Sequence, residues 1–421
     1  MTVTDGIEPS SLRIDGDRLL QRLAGLGEIG AIAGTEGCSR LAFTDADRDG
    51  RDLVVTWMRD LGLTVTIDGI GNVVGTWVPD GVDPGLAPVM TGSHIDTVAT
   101  GGRYDGNLGV LAGLEVIETL LGAGHGPGRP LAVTVFSNEE GARFPPDMMG
   151  SLVYVGGMAL EEALAIEGID GARVGAELDR IGYRGSAPVP GLTPHAFVEL
   201  HIEQGPVLER EAIRIGAVES VQGISWTEVT IEGQSNHAGT TPMALRHDAG
   251  YAAALLTTRM RDLATELGPP QVATVGAIDL HPNLVNVVAA RAVLTVDLRH
   301  TDDAVLTEAD RRLAAELEAI AVDEGVTITT RRLARFEPVT FDPAVVDLVE
   351  GTATALGLST RRMPSGAGHD AQMLARVCPS AMIFTPSRDG ISHNPAEHTD
   401  PDDLVAGADV LLQVMLGMAG R

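Results

Sequence analysis

The sequence predicts an α/β protein of two domains, and three observations support that prediction. The chain has 421 residues, which is long for a single hydrophobic core. Short runs rich in Val and Ile alternate with longer helical patterns, as in α/β folds. In the middle of the chain, a strand pattern instead alternates apolar and polar residues, as in a sheet with one face in water. We therefore expect an α/β domain interrupted by a domain of α+β character.

Four apolar runs predict the buried strands of the α/β domain, at residues 86–90, 131–136, 197–200 and 381–384. The segment 107–121 predicts a helix, because Leu108, Leu111 and Leu114 recur near helical spacing. Gly122 follows that segment as a stop signal. The segment 182–194 is rich in Gly and Pro and predicts a surface loop.

The middle of the chain predicts six further elements in the order β–α–β–β–α–β. Strands are expected at 224–231, 271–278, 292–298 and 326–330, and helices at 246–267 and 303–324. This order predicts a ferredoxin-like sandwich inserted into the larger domain. The expected domains are therefore 1–216 with 332–421, and 217–331 as the insertion.

Charge and composition exclude several classes of protein. The formal net charge of -28 argues against nucleic-acid binding, which requires clustered basic residues. Cys38 and Cys378 are too few for a disulfide framework, which suits a reducing compartment. Residues 1–11 are polar, unlike a signal peptide, and no apolar run approaches the roughly 20 residues of a membrane span. We expect a soluble cytoplasmic protein that binds neither nucleic acid nor membranes.

Residues able to bind metals follow the predicted core strands. In open α/β sheets, ligands bind in the crevice at the carboxyl ends of the strands. Four strand ends that deliver imidazoles and carboxylates to one edge are hard to explain by packing alone. In chain order these residues are His94 and Asp96, Glu139 and Glu140, His201, and, after a short loop, His393.

Asp105 adds a further carboxylate, in a glycine-rich turn before the helix at 107–121. Taken alone, Asp105 has a simpler explanation as a helix N-cap, and Glu139 and Glu140 have one as a solvated turn. Taken together, the residues predict two metals that share Asp105, each with three protein ligands and room for water. The five expected ligands are His94, Asp105, Glu140, His201 and His393.

Across nearly the whole chain, six motifs resemble the amidase/carbamoylase branch of the dinuclear metallopeptidase-like amidohydrolases. That branch includes N-carbamoyl-L-amino acid hydrolases, β-ureidopropionases and allantoate amidohydrolases. The resemblance implies an aminopeptidase-like catalytic domain, with the insertion acting as a lid that mediates a homodimer. The motifs are His94-Ile95-Asp96, Gly101-Gly102-Arg103-Tyr104-Asp105-Gly106, Asn138-Glu139-Glu140-Gly141, His201-Ile202-Glu203-Gln204-Gly205-Pro206, Asn236-His237-Ala238-Gly239-Thr240-Thr241-Pro242-Met243 and Ser392-His393-Asn394-Pro395.

The resemblance also implies a role for each matching residue at the metals. One metal is expected on His94, Asp105 and His201, and the other on Asp105, Glu140 and His393. Two further residues act on these ligands and on the reaction: the Asp96 carboxylate orients the His94 ring, and Glu139 is the general base.

Four residues match substrate-contacting positions of the branch. His237 would stabilise the oxyanion and would reach the active site of the partner subunit from the lid. Gln204 and Asn286 would contact the substrate, and Arg299 would grip a carboxylate. Without the resemblance, His237 would be interpreted as a surface loop residue and Arg299 as a surface charge. The Gly368-His369-Asp370 segment also fits the branch.

We therefore expect cleavage of the carbamoyl C–N bond of an N-carbamoyl-L-amino acid or related ureido acid. Allantoate amidohydrolysis is the nearest alternative, followed by N-acyl amino acid amidase activity and by a catalytically silent ligand-binding homologue. The Pro145-Pro146 pair departs from the best-known carbamoylases and leaves the substrate open. The expected cofactors are two divalent ions per subunit, with zinc favoured by imidazole and manganese, cobalt or nickel also compatible.

Overall fold

A computed structural model describes residues 11–420 of the chain. The N-terminal segment predicted to be polar, 1–11, lies outside the described residues except for Ser11. The chain forms two compact units, one of residues up to 219 and from 340 onward, the other of residues 220–339. The second unit ends later than the sequence prediction of 331, because its last strand continues to Phe336.

The described residues contain thirteen strands, each bounded as follows. They are β1 Thr64–Ile67, β2 Val73–Trp77, β3 Val89–His94, β4 Leu131–Phe136, β5 Ala196–Ile202, β6 Ile215–Val221, β7 Gly223–Glu232, β8 Val272–His281, β9 Arg291–His300, β10 Thr327–Phe336, β11 Val339–Thr340, β12 Thr360–Ser365 and β13 Ser380–Thr385.

Twelve α-helices lie in the same described range, with short 3-10 turns at Met243–Leu245 and Arg388–Gly390. The helices are α1 Gly16–Gly27, α2 Asp45–Asp60, α3 Asn107–Ala123, α4 Met149–Tyr154, α5 Leu160–Ala165, α6 Val174–Ile181, α7 Val207–Glu211, α8 Ala249–Leu267, α9 Asp303–Glu324, α10 Pro343–Ala355, α11 Asp370–Leu374 and α12 Pro401–Ala419. None of the helices in the described part of the chain is long and apolar enough to cross a membrane.

The larger unit is built on a mixed sheet whose centre is parallel. Within residues 11–420 its strands follow the order β1-β2-β4-β3-β5-β13-β6-β11, with β12 paired to β6. The neighbours β4, β3, β5 and β13 pair in parallel, and all four are buried along their whole length. Their carboxyl ends therefore lie at one edge of the sheet, where the site is expected from the sequence.

Helix α3 packs on β3, and most of its residues are buried. It begins after Gly106, whose φ of 67° favours glycine, and ends at Gly124 in the left-handed conformation. The prediction that Gly122 ends this helix was wrong. Gly122 has the open surroundings of a surface position, where a helix tolerates glycine at modest cost, and the left-handed cap forms two residues later.

A buried carboxylate joins α1 to α3. The Glu115 side chain is fully buried, and it accepts hydrogen bonds from the guanidinium groups of Arg18 and Arg22. Its Oε1 also accepts from the backbone N–H of Asp15 at 3.0 Å. Thr119 Oγ1 donates to it as well, so donors from four residues satisfy the buried charge and join α1 to α3.

The smaller unit has the β–α–β–β–α–β order that the sequence indicated. Its four strands within the described residues are antiparallel in the order β10-β7-β9-β8, and apolar residues of α8 and α9 pack with them in one core. The predicted start of α8 at 246 was wrong by three residues. The Asp248 side chain caps the helix by accepting from the backbone N–H groups of Gly250 and Tyr251, so the helix begins at Ala249.

Candidate metal centre

The parallel strands bring the predicted metal ligands to one edge of the larger sheet. Strand β3 ends at His94, and β5 carries His201 one residue before its end. Strand β4 leads into Glu139 and Glu140, and the segment after β13 carries His393. Asp105 reaches the same edge from the turn that precedes α3.

Asp105 lies between the other ligands and faces them with both carboxylate oxygens. Its Oδ1 is 3.1 Å from His201 Nε2 and 3.5 Å from His94 Nε2. Its Oδ2 is 3.4 Å from His393 Nε2, and Glu140 Oε2 is 3.3 Å from that same imidazole nitrogen. The residues thus form two groups of three that share Asp105, each with its donor atoms close enough to hold one ion.

Both buried imidazoles present Nε2 to Asp105 because Nδ1 has another partner. His94 Nδ1 lies 2.9 Å from the carbonyl oxygen of Asp96, and His201 Nδ1 lies 2.8 Å from that of Ile202. A carbonyl oxygen only accepts, so each Nδ1 carries a proton. Nε2 is then the nitrogen that faces Asp105, and loss of its proton would make it available for a metal.

The Asp96 side chain acts at a different place from the one that the resemblance implied. The contact with the His94 ring comes from its backbone carbonyl, whereas its carboxylate accepts the backbone N–H groups of Glu139 and Glu140 at 3.2 and 3.3 Å. The expected role of the carboxylate in orienting the ring therefore stays a prediction, because the ring contact in this structure comes from the carbonyl. The carboxylate instead fixes the segment that carries the predicted base.

Glu139 lies beside the buried group, with Oε2 3.4 Å from His94 Nε2. Burial, assisted by the nearby Asp370 and Glu140 carboxyls, raises the pKa of Glu139 well above its usual range. Burial and the adjacent Asp105 raise the pKa of Glu140 to about 8. Burial disfavours the charged form of Asp105 as well, but hydrogen bonds from His201, His393 and His94 outweigh it and hold the pKa of Asp105 well below 3.8.

The charges at this edge suit a divalent cation. The chain contains no lysine, and the ion-pair partners of Asp105, Glu139 and Glu140 are all histidines. Buried carboxylates need a counter-charge. Despite burial, the neighbouring carboxylates raise the pKa values of His94 and His201, and the hydrogen bond with Asp105 raises that of His393 to about 9, so protonated imidazoles supply this charge when no ion is bound. A divalent ion would displace those protons and take over the charge. Mixed imidazole and carboxylate donors are the ligands that zinc, manganese, cobalt and nickel accept. The donor set therefore fits the predicted metals.

A third cluster of possible donors lies beneath this edge and serves as support. Glu199 Oε1 accepts from Ser93 Oγ at 2.6 Å, and its Oε2 accepts from the backbone N–H of Ala371 at 2.8 Å. His369 is buried with its ring against His201 at a centroid distance of 4.5 Å, and its Nε2 lies 2.9 Å from Ser365 Oγ. Because these donor atoms already have hydrogen-bond partners, we interpret the cluster as a support that packs against the His201 ring and not as a metal site.

Two fully buried arginines hold the loops of the site from the N-terminal part of the chain. Arg40 donates to the carbonyl of Ile95 at 2.7 Å and to Asn107 Oδ1 at 2.8 Å, and so joins the segments that carry His94 and Asp105. Arg51 pairs with Asp47 and donates to Ser137 Oγ just before the Glu139 segment. Neither could be predicted from the sequence, since an arginine before a helix, such as Arg40, or within one, such as Arg51 in α2, is usually a surface charge.

Other residues bound to Asp105 were assigned differently or overlooked. Gln204, predicted as a substrate contact, donates from Nε2 to Asp105 Oδ2 at 2.8 Å. Ser392 Oγ lies 3.1 Å from the same oxygen, and Glu397 accepts the backbone N–H of Asp105. The only sequence signal for Glu397 was its place four residues after His393.

The remaining predicted residues lie in the smaller unit. His237 is exposed in a loop, and its Nδ1 accepts from the backbone N–H of Gly239, so Nε2 carries the proton. The backbone N–H of Ala238 donates to the carbonyl of Asn286, which places the His237 and Asn286 segments side by side. Arg299 pairs with Asp297 at 2.9 Å and stacks on Trp226.

Comparison with known proteins identifies the family. Residues 90–417 match the family described as "Peptidase family M20/M25/M40". N-carbamoyl-L-amino-acid amidohydrolase from Rhizobium meliloti is 42% identical over 408 residues, which cover 97% of either chain. Ureidoglycolate hydrolase from Arabidopsis thaliana is 35% identical, with 96% of this chain and 86% of that protein covered. The crystal structure of a hydantoinase/carbamoylase family amidase from Burkholderia multivorans matches with a TM-score of 0.94 and 45% identity, over 98% of this chain and 99% of that one.

The chain therefore belongs to peptidase family M20/M25/M40 and is an amidohydrolase. The resemblance noted from the six sequence motifs is confirmed. Arg40 and Arg51 precede the segment that the family description matches, which begins at residue 90.

Proposed function

We propose that this enzyme hydrolyses the carbamoyl C–N bond of an N-carbamoyl-L-amino acid. Water adds to the ureido carbonyl, the bond to the amino-acid nitrogen breaks, and the amino acid and carbamic acid leave. Carbamic acid then yields ammonia and carbon dioxide. The observation that carries this proposal is the 42% identity to an N-carbamoyl-L-amino-acid amidohydrolase along almost the full length of both chains.

His94, Asp105 and His201 would hold one divalent ion, and Asp105, Glu140 and His393 would hold the other. The short donor separations in each group, and the histidine-only partners of the carboxylates, support this assignment. When bound, such ions lower the pKa of water and polarise a carbonyl. Zinc is our first choice for the ions, with manganese, cobalt and nickel as alternatives.

Glu139 is the proposed general base and acid. Its raised pKa suits a group that takes a proton from the attacking water and later gives it to the leaving nitrogen. Its place beside His94, rather than among the donors around Asp105, leaves its carboxylate available for proton transfer. The Asp96 carboxylate supports this role, since it fixes the backbone of Glu139 and of its neighbour Glu140.

The smaller unit is proposed to act as a ferredoxin-like lid that also mediates a homodimer. His237 would donate from Nε2 to the oxyanion at the partner subunit's site, and Asn286 would contact the substrate beside it. The adjacency of their segments supports a shared task. Arg299 would bind the substrate carboxylate, in exchange for or alongside its present partner Asp297. A cytoplasmic location, suggested by the two unpaired cysteines, stays a prediction.

A second candidate function is hydrolysis of another ureido acid, such as ureidoglycolate or allantoate. The 35% identity to a plant ureidoglycolate hydrolase, over 96% of this chain, favours keeping it. The two candidates share the metal ligands and the base. They differ in the substrate group on the far side of the broken bond.

The test is ammonia and amine release from matched substrates. Chelated protein is given manganese, zinc or cobalt, and then N-carbamoyl-L-amino acids, N-carbamoyl-β-alanine, ureidoglycolate, allantoate or N-acetyl-L-amino acids. We expect metal-dependent ammonia release that is fastest with one of the N-carbamoyl-L-amino acids. Faster turnover of ureidoglycolate or allantoate would select the second candidate. Amine release from the acetyl series alone would overturn both.

A further inference from the structure

Glu397 is a buried carboxylate next to the shared ligand, and the reaction proposed above does not use it. Its side chain is 4% exposed. It lies four residues after His393, in the loop that returns from the metal centre to α12. A carboxylate so deeply buried needs several hydrogen-bond donors to be stable.

The donors that satisfy Glu397 all belong to segments that carry metal ligands. Its Oε1 accepts the backbone N–H of Tyr104 at 3.1 Å and that of Asp105 at 3.2 Å. Its Oε2 accepts from Ser392 Oγ at 2.9 Å, and Ser392 directly precedes His393. Glu397 therefore ties the turn that carries Asp105 to the loop that carries His393.

The chain makes room for this carboxylate with a glycine. A Cβ atom at Gly102 would lie 2.1 Å from Glu397 Oε1, closer than any real contact. The absence of a side chain at Gly102 thus allows Glu397 to reach the backbone amides of this turn. Packing alone does not account for a carboxylate here, because an apolar side chain would fill the space but leave the backbone N–H groups of Tyr104 and Asp105 without an acceptor.

Ser392 connects Glu397 to the shared ligand through a single proton. Its hydroxyl can donate to Glu397 Oε2 at 2.9 Å or to Asp105 Oδ2 at 3.1 Å, but it has one hydrogen. Gln204 Nε2 already donates to Asp105 Oδ2 at 2.8 Å. If Ser392 donates its hydrogen bond to Glu397, Asp105 Oδ2 accepts one hydrogen bond fewer and keeps more of its electron density for a metal.

We propose that Glu397 is a positioning residue of the candidate metal centre, a proposal that rests on the function proposed above. Its carboxylate holds the backbone of the Asp105 turn and draws the Ser392 proton away from Asp105 Oδ2. Both effects act on the one ligand that the two metal positions share. Groups that orient metal ligands in this way typically change metal affinity by about 10–100-fold when they are replaced.

The test compares metal binding by chelated full-length protein and its Glu397→Gln variant. Glutamine keeps one oxygen for the two backbone amides, so the fold is retained, but its amide cannot accept the Ser392 proton as the carboxylate does. Manganese and zinc alone are the probes, titrated against a chromophoric chelator. We expect Glu397→Gln to weaken metal affinity by about 10–100-fold, with the unfolding midpoint of the metal-free protein little changed.

Ser392→Ala provides the readout that a purely structural role would not give. In the Glu397→Gln variant the Ser392 hydroxyl donates to Asp105 instead. Adding Ser392→Ala removes that hydrogen bond, so it should restore part of the lost metal affinity. The matched control is Asp409→Asn, which alters a carboxylate that accepts the backbone N–H of Ile14 far along the chain and should leave metal affinity unchanged.

Three outcomes would overturn the inference. Unchanged metal affinity in Glu397→Gln is one, and a lowered unfolding midpoint without a change in affinity is another. The third is a loss of affinity that adds to that of Ser392→Ala instead of being relieved by it. If the wild-type protein itself binds no metal, the proposed function fails as well, and this distinguishes the two failures.

Discussion

The two candidate metal positions share Asp105, but the protein encloses them very differently. His94 and His201 extend from the central strands, and each side chain is 1% exposed. His393 comes from a loop, and its side chain is 50% exposed. The sheet thus builds one position as part of the core, whereas loops complete the other.

This difference teaches where the rigidity of the site comes from. The buried position is backed by the Glu199 and His369 cluster and by the Arg40 hydrogen bonds. For the exposed position, the contacts that hold its loop run chiefly through Glu397 and Ser392. Preformed ligands lose less conformational entropy on binding. We therefore expect the buried position to bind its ion more tightly, and the following variants test that asymmetry.

The largest effect is expected at Glu139, the proposed base beside the buried position. Glu139→Gln removes the proton acceptor but not a ligand, so turnover should fall by about 10³-fold while both ions still bind. Steady-state kinetics and elemental analysis of the same sample provide the two readouts. A Gln variant with substantial turnover would refute the assignment of the base, and one that lost metal would make Glu139 a ligand.

Removing one imidazole from each position in turn should distinguish the affinities of the two metal positions. His94→Ala should weaken binding of the first equivalent by more than about 100-fold, since a lost ligand costs more than a lost neighbour of a ligand. His393→Ala should weaken only the second equivalent. Calorimetric titration of chelated protein measures both. Equal effects of the two substitutions on both equivalents would mean that the positions are not distinct.

Gly106→Ala should damage the buried position without removing a ligand. A Cβ atom there would lie 2.5 Å from the His94 ring, so the imidazole must move. We expect metal affinity at the buried position to fall by about 10-fold or more, an effect comparable to disturbing an orienting partner.

The matched control is Gly124→Ala at the far end of α3. Gly124 also has positive φ, at 62°, but nothing lies within 4 Å of its Cβ direction. Its substitution should cost about 1 kcal/mol of stability through backbone strain alone and leave metal affinity unchanged. Loss of metal by both variants would attribute the effect to helix α3 as a whole and not to the His94 contact.

The smallest effect on the site is expected from Glu115→Gln, within the α1–α3 network. The variant leaves Arg18 and Arg22 without their buried partner, and because both arginines reach solvent we expect a loss of only about 2 kcal/mol. Urea denaturation of metal-free protein measures it, with the exposed Glu308→Gln as control. Metal stoichiometry should not change. An unaltered urea midpoint would show that the network does not hold α3 in place.

Elements with strong local signals could be predicted from the sequence. The strand at 131–136 and the helix at 303–324 have the predicted bounds, because apolar runs and an N-cap at Asp302 define them locally. The ends of α3 and α8 were not predicted correctly. The pattern indicates a stop at Gly122 although α3 continues to Ala123, and it places α8 from 246 although the Asp248 cap starts it at Ala249.

The residues of the candidate site divide in the same way. Those that follow strands could be proposed because parallel strands end at a common edge. The partners that orient them could not. Glu397 reaches the backbone of Tyr104 from 293 residues away, and Arg40 reaches Asn107 across 67, so only the folded chain brings them together. The sequence likewise could not show which oxygen of Asp96 meets His94.

The most direct test of the account is turnover as a function of metal added to fully chelated protein. Ammonia release from the preferred N-carbamoyl-L-amino acid is measured at each addition, alongside bound metal. We predict no turnover without metal, binding of a first equivalent at the buried position, and full turnover once two equivalents are bound. Undiminished turnover in protein shown by elemental analysis to be free of metal would contradict the central claim.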